Sequence, residues 1–90
     1  MSRRELKKAV SKDISHFAGK CLDKEEQSPL HALAVEQLLD DALDLEVELL
    51  SLISETKKYR GKEVRHHFFR LEKKWFDGVA LLEKRLAELD

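Results

Sequence analysis

The apolar residues of this chain recur at steps of three and four along three long segments, which is the period of an α-helix. In the middle segment they form two neighbouring rows. The first row is Val35, Leu38, Ala42, Leu45, Leu49 and Leu52, and the second is Leu39, Leu43, Leu50 and Ile53. At 100° per residue the two rows cover about half of the helix circumference. The middle helix is therefore expected to contact two other helices.

Helix signals place the first helix at about residues 2–22. Ser2 and Glu5 have the spacing of a capping box. An apolar stripe follows, made of Leu6, Val10, Ile14, Phe17 and Cys21. Gly19 weakens the helix by about 1 kcal/mol relative to Ala, and its small size is expected to let a neighbouring helix approach. Residues 23–28 are polar and aperiodic and are expected to form the first loop.

The second helix is expected to begin at Ser28-Pro29, because a capping hydroxyl followed by proline at the first helical position is a typical helix start. It is predicted over residues 29–60, with Gly61 as a left-handed stop. The third helix is predicted over residues 62–89. Its apolar main face is Val64, Phe68, Leu71, Trp75, Val79, Leu82, Leu86 and Leu89, and a side row is Phe69, Phe76, Ala80 and Ala87.

These elements predict an all-α fold: an antiparallel up-down-up three-helix bundle with long helices, in which residues 1–90 form one domain. The second helix would be about 45 Å long, and the first would cover about two thirds of it. The far end of helices two and three could then be completed by dimerisation. Phe69 lies near that end, either as a dimer surface or as part of a local hairpin core.

Composition narrows the classes of function. The net charge is −1, so the chain has no overall basic signature of a nucleic-acid binder. Cys21 is the only cysteine, so no internal disulfide is expected. No segment approaches the roughly 18 uncharged apolar residues of a membrane span, and the start does not resemble a secretory signal. A cytoplasmic protein without a membrane partner is therefore expected.

The charges are arranged in blocks. Residues 2–22 have a net charge of +4, residues 29–55 carry seven acidic residues and no Lys or Arg, and residues 56–76 have a net charge of +6. In the predicted topology the acidic block faces basic neighbours, which would penalise wrong helix orders. The expected pairs are Glu36 with Lys12, Asp40 with Lys8, Asp41 with Lys7, Asp44 with Arg4, and Glu48 with Lys73 or Lys74.

One group of cations is left without partners by this scheme. We call it the basic tip, and it consists of Lys57, Lys58, Arg60, Lys62, Arg65, His66 and Arg70. Glu55 and Glu63 offset it only in part, and Tyr59 is available for stacking. The tip could attract a phosphate backbone or an acidic partner. Alternatively, its cations only stabilise the carboxyl end of helix two, where the helix dipole favours positive charge.

The sequence contains no arrangement typical of catalysis, so no catalytic residue, metal ligand or cofactor is expected. Glu63 and His66 form one Glu-x-x-His turn, whereas a di-iron bundle needs two such turns and two further carboxylates. His31 is expected to pack at the start of helix two. Glu46 lies within the apolar arc of helix two, so it either reaches the bundle edge or meets a donor such as the Trp75 indole or a lysine of helix one.

The sequence shows no resemblance that assigns a family. The leading interpretation is a small non-catalytic protein that acts in protein–protein interaction or regulation. It would present helix surfaces to an unidentified protein partner, which could be a second copy in a homodimer. The second interpretation is a nucleic-acid or anion-binding module that uses the basic tip.

Overall fold

The computed structural model describes residues 2–89, which form three α-helices and two short 3-10 turns and contain no strand. The helices are α1 (Arg3–Gln27), α2 (Ala32–Glu55) and α3 (Lys62–Ala87). The 3-10 turns, Pro29–His31 and Thr56–Lys58, extend α2 at its two ends. The predicted all-α, up-down-up three-helix bundle is confirmed, and it measures 50 × 19 × 16 Å. Among the described residues, the helices lack the apolar length that a bilayer span requires.

α1 is longer than the sequence indicated. It continues to Gln27, so the prediction that residues 23–28 form a loop is wrong. Lys, Glu and Gln, which dominate this stretch, are good helix formers. The loss of apolar periodicity therefore marks the end of the buried stripe and not the end of the helix. The Ser28 amide donates to the Lys24 carbonyl at 2.8 Å and closes the last turn.

The two predicted helix starts differ in outcome. The Ser2 hydroxyl accepts a hydrogen bond from the Glu5 amide at 3.2 Å, as expected for a capping residue. The Ser28 hydroxyl makes no such bond. Pro29 instead opens a 3-10 turn, in which the His31 amide donates to the Ser28 carbonyl at 2.9 Å. The His31 side chain is half-buried there.

Helix two stops earlier than predicted, in the 3-10 turn that ends at Lys58. The buried Thr56 hydroxyl donates to the Ile53 carbonyl at 2.6 Å, and the Tyr59 amide donates to the Thr56 carbonyl at 3.2 Å. Gly61 has the expected positive φ of 63°, but its ψ of −130° is not that of a left-handed helix stop. It resembles the first central residue of a type II′ turn, at about 60° and −120°. Gly61 therefore turns the chain directly into α3.

One core runs along the bundle and uses the predicted face of each helix. Its buried apolar members are Leu6, Val10, Ile14, Phe17, Cys21, Val35, Leu38, Ala42, Leu49, Ile53, Leu71, Trp75, Leu82 and Leu86. Leu6 is buried near the start of α1, so the expectation that the far end of the bundle lacks a cover is wrong. Burial also raises the pKa of the Cys21 thiol, as expected for a core cysteine.

Tight packing at a helical glycine occurs at Gly78 and not at Gly19. A Cβ added to Gly78 would lie 2.8 Å from the Cδ2 atom of Leu45, so the missing side chain leaves room for the Leu45 side chain of α2 against α3. Gly19 is exposed, and an added Cβ would have no heavy atom within 4 Å. The role predicted for Gly19 is therefore wrong.

A hydrogen bond links α1 to α3. The Trp75 indole donates to the Asp13 carboxylate at 3.0 Å, so the suggestion that Glu46 accepts from Trp75 is wrong. Glu46 is half-buried and has no hydrogen bond or salt bridge within residues 2–89. Of the two outcomes predicted for Glu46, the structure agrees with the one in which the carboxylate reaches the edge of the bundle.

The observed salt bridges confirm one predicted pair and correct the others. Glu48 and Lys74 are 2.7 Å apart, as expected for α2 against α3. Asp41 pairs with Arg85 of α3 at 2.8 Å and not with Lys7 of α1. Within residues 2–89, none of the four acidic residues expected to pair with α1 does so. The reason is the longer α1, which shifts the register of its basic residues along α2.

Candidate functional site at the basic end of the bundle

The seven cations of the basic tip gather at one end of the bundle, and all seven side chains are exposed. Lys57 and Lys58 lie in the 3-10 turn after α2, and Arg60 lies in the link that follows. The other four occupy the first turns of α3: Lys62, Arg65, His66 and Arg70. Within the described chain, none of the seven forms a salt bridge.

Stabilisation of helix ends accounts for only part of this tip. Lys57 and Lys58 follow α2, where the helix dipole favours cations. Lys62 and Arg65, however, lie at the amino end of α3, where the same dipole disfavours positive charge. Only Glu63 opposes them in that first turn. The tip therefore carries more positive charge than stabilisation of its helix ends accounts for.

His67, which the sequence analysis did not include in the tip, organises it. Its ring is buried and stacks on Tyr59, with centroids 4.6 Å apart and planes inclined at 24°. Its Nε2 atom lies 2.7 Å from the Leu52 carbonyl oxygen, a geometry in which a protonated Nε2 donates to the carbonyl. These contacts tie the turn to both α2 and α3. Tyr59 is consequently half-buried, and one face of its ring is already covered.

A small cleft of about 230 Å³ opens beside this stack. It is lined by Tyr59, Glu63, His66, His67 and Arg70. The Glu-x-x-His turn thus faces a cleft shared with a guanidinium group, which repels a metal cation. Among the described residues, no group of three or more His, Cys, Asp or Glu side chains is placed to hold a metal ion.

The structure adds a second basic group that the sequence analysis did not include. A cleft of about 450 Å³ lies between the start of α1 and the end of α2, and we call it the helix-one cleft. It is lined by Arg3, Arg4, Lys7, Lys8, Ser54 and Lys57. The sequence predicts that the acidic block of α2 neutralises these cations, so it does not identify them as a basic group. Because α1 is longer than predicted, they lie beside the carboxyl end of α2 instead.

Phe69 is 69% exposed, so the alternative that it folds into a local core is wrong. Phe76 lies two turns further along α3, is 57% exposed, and stacks on Trp75 with centroids 5.0 Å apart. Leu6, Phe68, Glu72, Trp75 and Phe76 line a groove of about 420 Å³ between α1 and α3. The outer side of α3 therefore presents aromatic surface next to the basic tip.

No protein-family model matches the chain, and neither a curated protein nor a solved structure shows significant similarity to it.

Proposed function

We propose that this protein is a non-catalytic helical bundle that acts through protein–protein contacts. The outer stripe of α3 is the observation that supports this most directly. Phe69 and Phe76 are seven residues apart, so they point within about 20° of each other, and both are more than half exposed. Aromatic residues are enriched in protein interfaces, where they contribute much of the binding energy. An uncovered aromatic stripe on a rigid helix is thus a suitable contact surface.

The charges around this stripe indicate the charge that a partner surface should carry. Arg65 precedes Phe69 by four residues and Lys73 follows it by four, so both are neighbours of its ring on the helix surface. Exposed Glu72 lies beside both aromatic rings and offsets one of these two cations. Two copies of the same basic stripe would repel each other. A matching surface has to be apolar and acidic, so that it covers the aromatic rings and neutralises the cations.

The outer face of α2 has this character. Leu33, Leu43 and Val47 are all more than half exposed and fall within an arc of about 80°. Glu36 and Asp40 share that face and are exposed. A second copy that offers its α2 to α3 would satisfy both requirements. We therefore propose self-association through α3 of one copy and α2 of another.

The test is the molar mass of the full chain, measured by light scattering over a wide concentration range at low and high salt. We expect a concentration-dependent oligomer that salt weakens, because the contact combines apolar burial with ion pairs. Phe69→Ser on α3 and Leu43→Ser on α2 should each shift the protein towards monomer. A monomer at every concentration and salt would show that self-association is wrong.

Leu81→Ser is the matched control. Leu81 is 56% exposed, close to the value for Phe76, and lies on the same helix. It is twelve residues from Phe69, which places it about 120° away from the stripe. Its replacement should leave the molar mass of the oligomer unchanged. Circular dichroism of all three variants should match the parent protein.

A second function, nucleic-acid or anion binding through the basic tip, is supported by the unneutralised cations at the amino end of α3. Titration with labelled nucleic acid at low and moderate salt tests it. Lys62→Gln with Arg65→Gln should weaken binding. Lys12→Gln with Lys84→Gln removes the same charge from exposed positions outside the tip and should have less effect. A flat titration of the parent protein would contradict this function.

A further inference from the structure

We propose that the helix-one cleft is a second anion site and that it binds a chain of linked phosphates together with the basic tip. This inference extends the anion-binding function proposed for the tip. It concerns cations that the tip does not contain: Arg3, Arg4, Lys7 and Lys8. Lys57 lines the cleft and also belongs to the tip, so the two groups meet at one residue.

The cleft has the charge of an anion site. Five of its lining side chains are cationic, the sixth is Ser54, and no carboxylate lines it. Glu5 and Glu55 are close in sequence, but neither faces the cleft. Like charges gathered at one place repel each other, and a bound anion would relieve this repulsion. Ser54 adds a neutral hydroxyl that can donate to an oxygen of the ligand.

The cations are held in place and do not belong to a loose tail. Ser2 caps α1, so its helical structure begins at Arg3. Leu6 and Val10 are buried in the core and fix the rotation of this first part of the helix. Lys7 is half-buried. Folding therefore fixes the backbone positions of these cations, and binding has to order only their side chains.

Shape and donor type favour a phosphate chain. The volume of about 450 Å³ lies within the range of about 300–1,000 Å³ that is usual for ligand sites. Guanidinium groups such as those of Arg3 and Arg4 bind phosphate oxygens in a bidentate manner. Lys57 lines the cleft, and Lys58 and Arg60 of the tip follow it within three residues, which suits an extended ligand. A nucleic-acid backbone and inorganic polyphosphate share this chemistry.

The experiment uses the full chain and fluorescence anisotropy of a labelled single-stranded oligonucleotide at several salt concentrations. The cleft variant is Arg4→Gln with Lys8→Gln, both exposed positions, which leaves the half-buried Lys7 intact. For a single strand, each phosphate contact that is lost should reduce the magnitude of the slope of log K against log salt by about 0.7, so the double variant should reduce it by about 1.4.

Two comparison variants remove the same amount of charge. Lys62→Gln with Arg65→Gln tests the tip, and Lys20→Gln with Lys84→Gln tests net charge alone, because Lys20 is exposed and twelve residues along α1 from Lys8. Both the cleft and the tip variants should reduce the magnitude of the slope, and the net-charge variant should leave it nearly unchanged. Parent-like binding by the cleft variant would overturn the inference while the tip function stands. Equal weakening by all three variants would also overturn it.

Competitors define the ligand class. Inorganic polyphosphate should displace the oligonucleotide if linked phosphates are sufficient, whereas failure to compete would restrict the site to nucleic acid. Poly-glutamate should compete poorly, and equal competition by it would show that an acidic protein is the better description of the ligand, which overturns the inference. If the parent protein bound none of these phosphate chains, both the cleft and the tip proposals would be wrong.

Discussion

Gly78 of α3 faces Leu45 of α2 so closely that an added Cβ would meet Cδ2 at 2.8 Å and Cδ1 at 3.1 Å. Replacement of a helical glycine by Ala ordinarily gains about 1 kcal/mol through helix propensity. At Gly78 this gain is opposed by the displacement of Leu45, because overpacking costs about 1–3 kcal/mol. We expect Gly78→Ala to be neutral or destabilising in urea unfolding.

Gly19→Ala is expected to have the opposite result. Gly19 is exposed in α1, and its added methyl group would contact nothing. The substitution should raise the free energy of unfolding by about 0.5–1 kcal/mol. The two variants are best measured side by side in urea, since they make the same chemical change within helices. An equal gain at both positions would contradict the close helix contact at Gly78.

The hydrogen bond from the Trp75 indole to Asp13 should contribute measurably to the free energy of unfolding. Trp75 is 7% exposed, so loss of its acceptor leaves a mostly buried donor unpaired. We expect Asp13→Ala to lower the free energy of unfolding by about 1 kcal/mol. Asp77→Ala, at an exposed position of α3, controls for helix propensity. Because the chain has one tryptophan, its fluorescence reports directly on this contact.

Asp13→Asn provides a second comparison at the same position. The amide keeps an acceptor oxygen, so its loss of stability should be smaller than that of Asp13→Ala. If Asp13→Ala and Asp77→Ala were equally stable, the hydrogen bond would contribute nothing measurable.

Glu46 should be replaceable by an apolar residue. It is half-buried and has no hydrogen-bond or ion-pair partner within residues 2–89. Burial of a carboxylate without a partner is unfavourable, and Leu has a similar helix propensity. Thermal and urea unfolding should show that Glu46→Leu is more stable than the parent, with Glu46→Gln in between. A large loss of stability would reveal a buried partner for the carboxylate.

Cys21 should react slowly with thiol reagents in the native protein. Burial raises the pKa of its thiol, so both the thiolate fraction and access are reduced. Unfolding in urea should accelerate the reaction strongly. Fast labelling of the native protein at neutral pH would show that the thiol is accessible.

The same raised pKa links Cys21 to stability at alkaline pH. Above the unfolded pKa of about 8.5, the unfolded chain loses the thiol proton while the folded chain keeps it. The unfolded state then binds fewer protons, so the contribution of Cys21 to stability is complete at neutral pH and falls as pH rises. The stability difference between the parent and Cys21→Ala should narrow between about pH 8.5 and 10. An unchanged difference would contradict the raised pKa.

The sequence by itself determined the three helices and the main buried face of each. Helical periodicity is a local property, so Val10, Ile14 and Phe17 identify one side of α1 without knowledge of the other helices. The cap at Ser2 and the positive φ of Gly61 also depend on local chemistry. The basic tip was predictable for the same reason, since its cations lie close together in the sequence.

The tertiary structure decided the end of α1, the register between helices and the partners of the surface charges. Residues 23–27 carry helix formers without a buried stripe, and a pattern based on burial does not detect them. The five extra helical residues shift α1 along α2, so Arg4 and Lys8 lie beside Ser54 and not beside Asp44 and Asp40. Exposed ion pairs contribute only about 0–1 kcal/mol each, whereas core packing over the whole helix length contributes far more. Core packing therefore sets the register between helices, and this register determines which charges become neighbours. For this reason the helix-one cleft could not be predicted from the sequence.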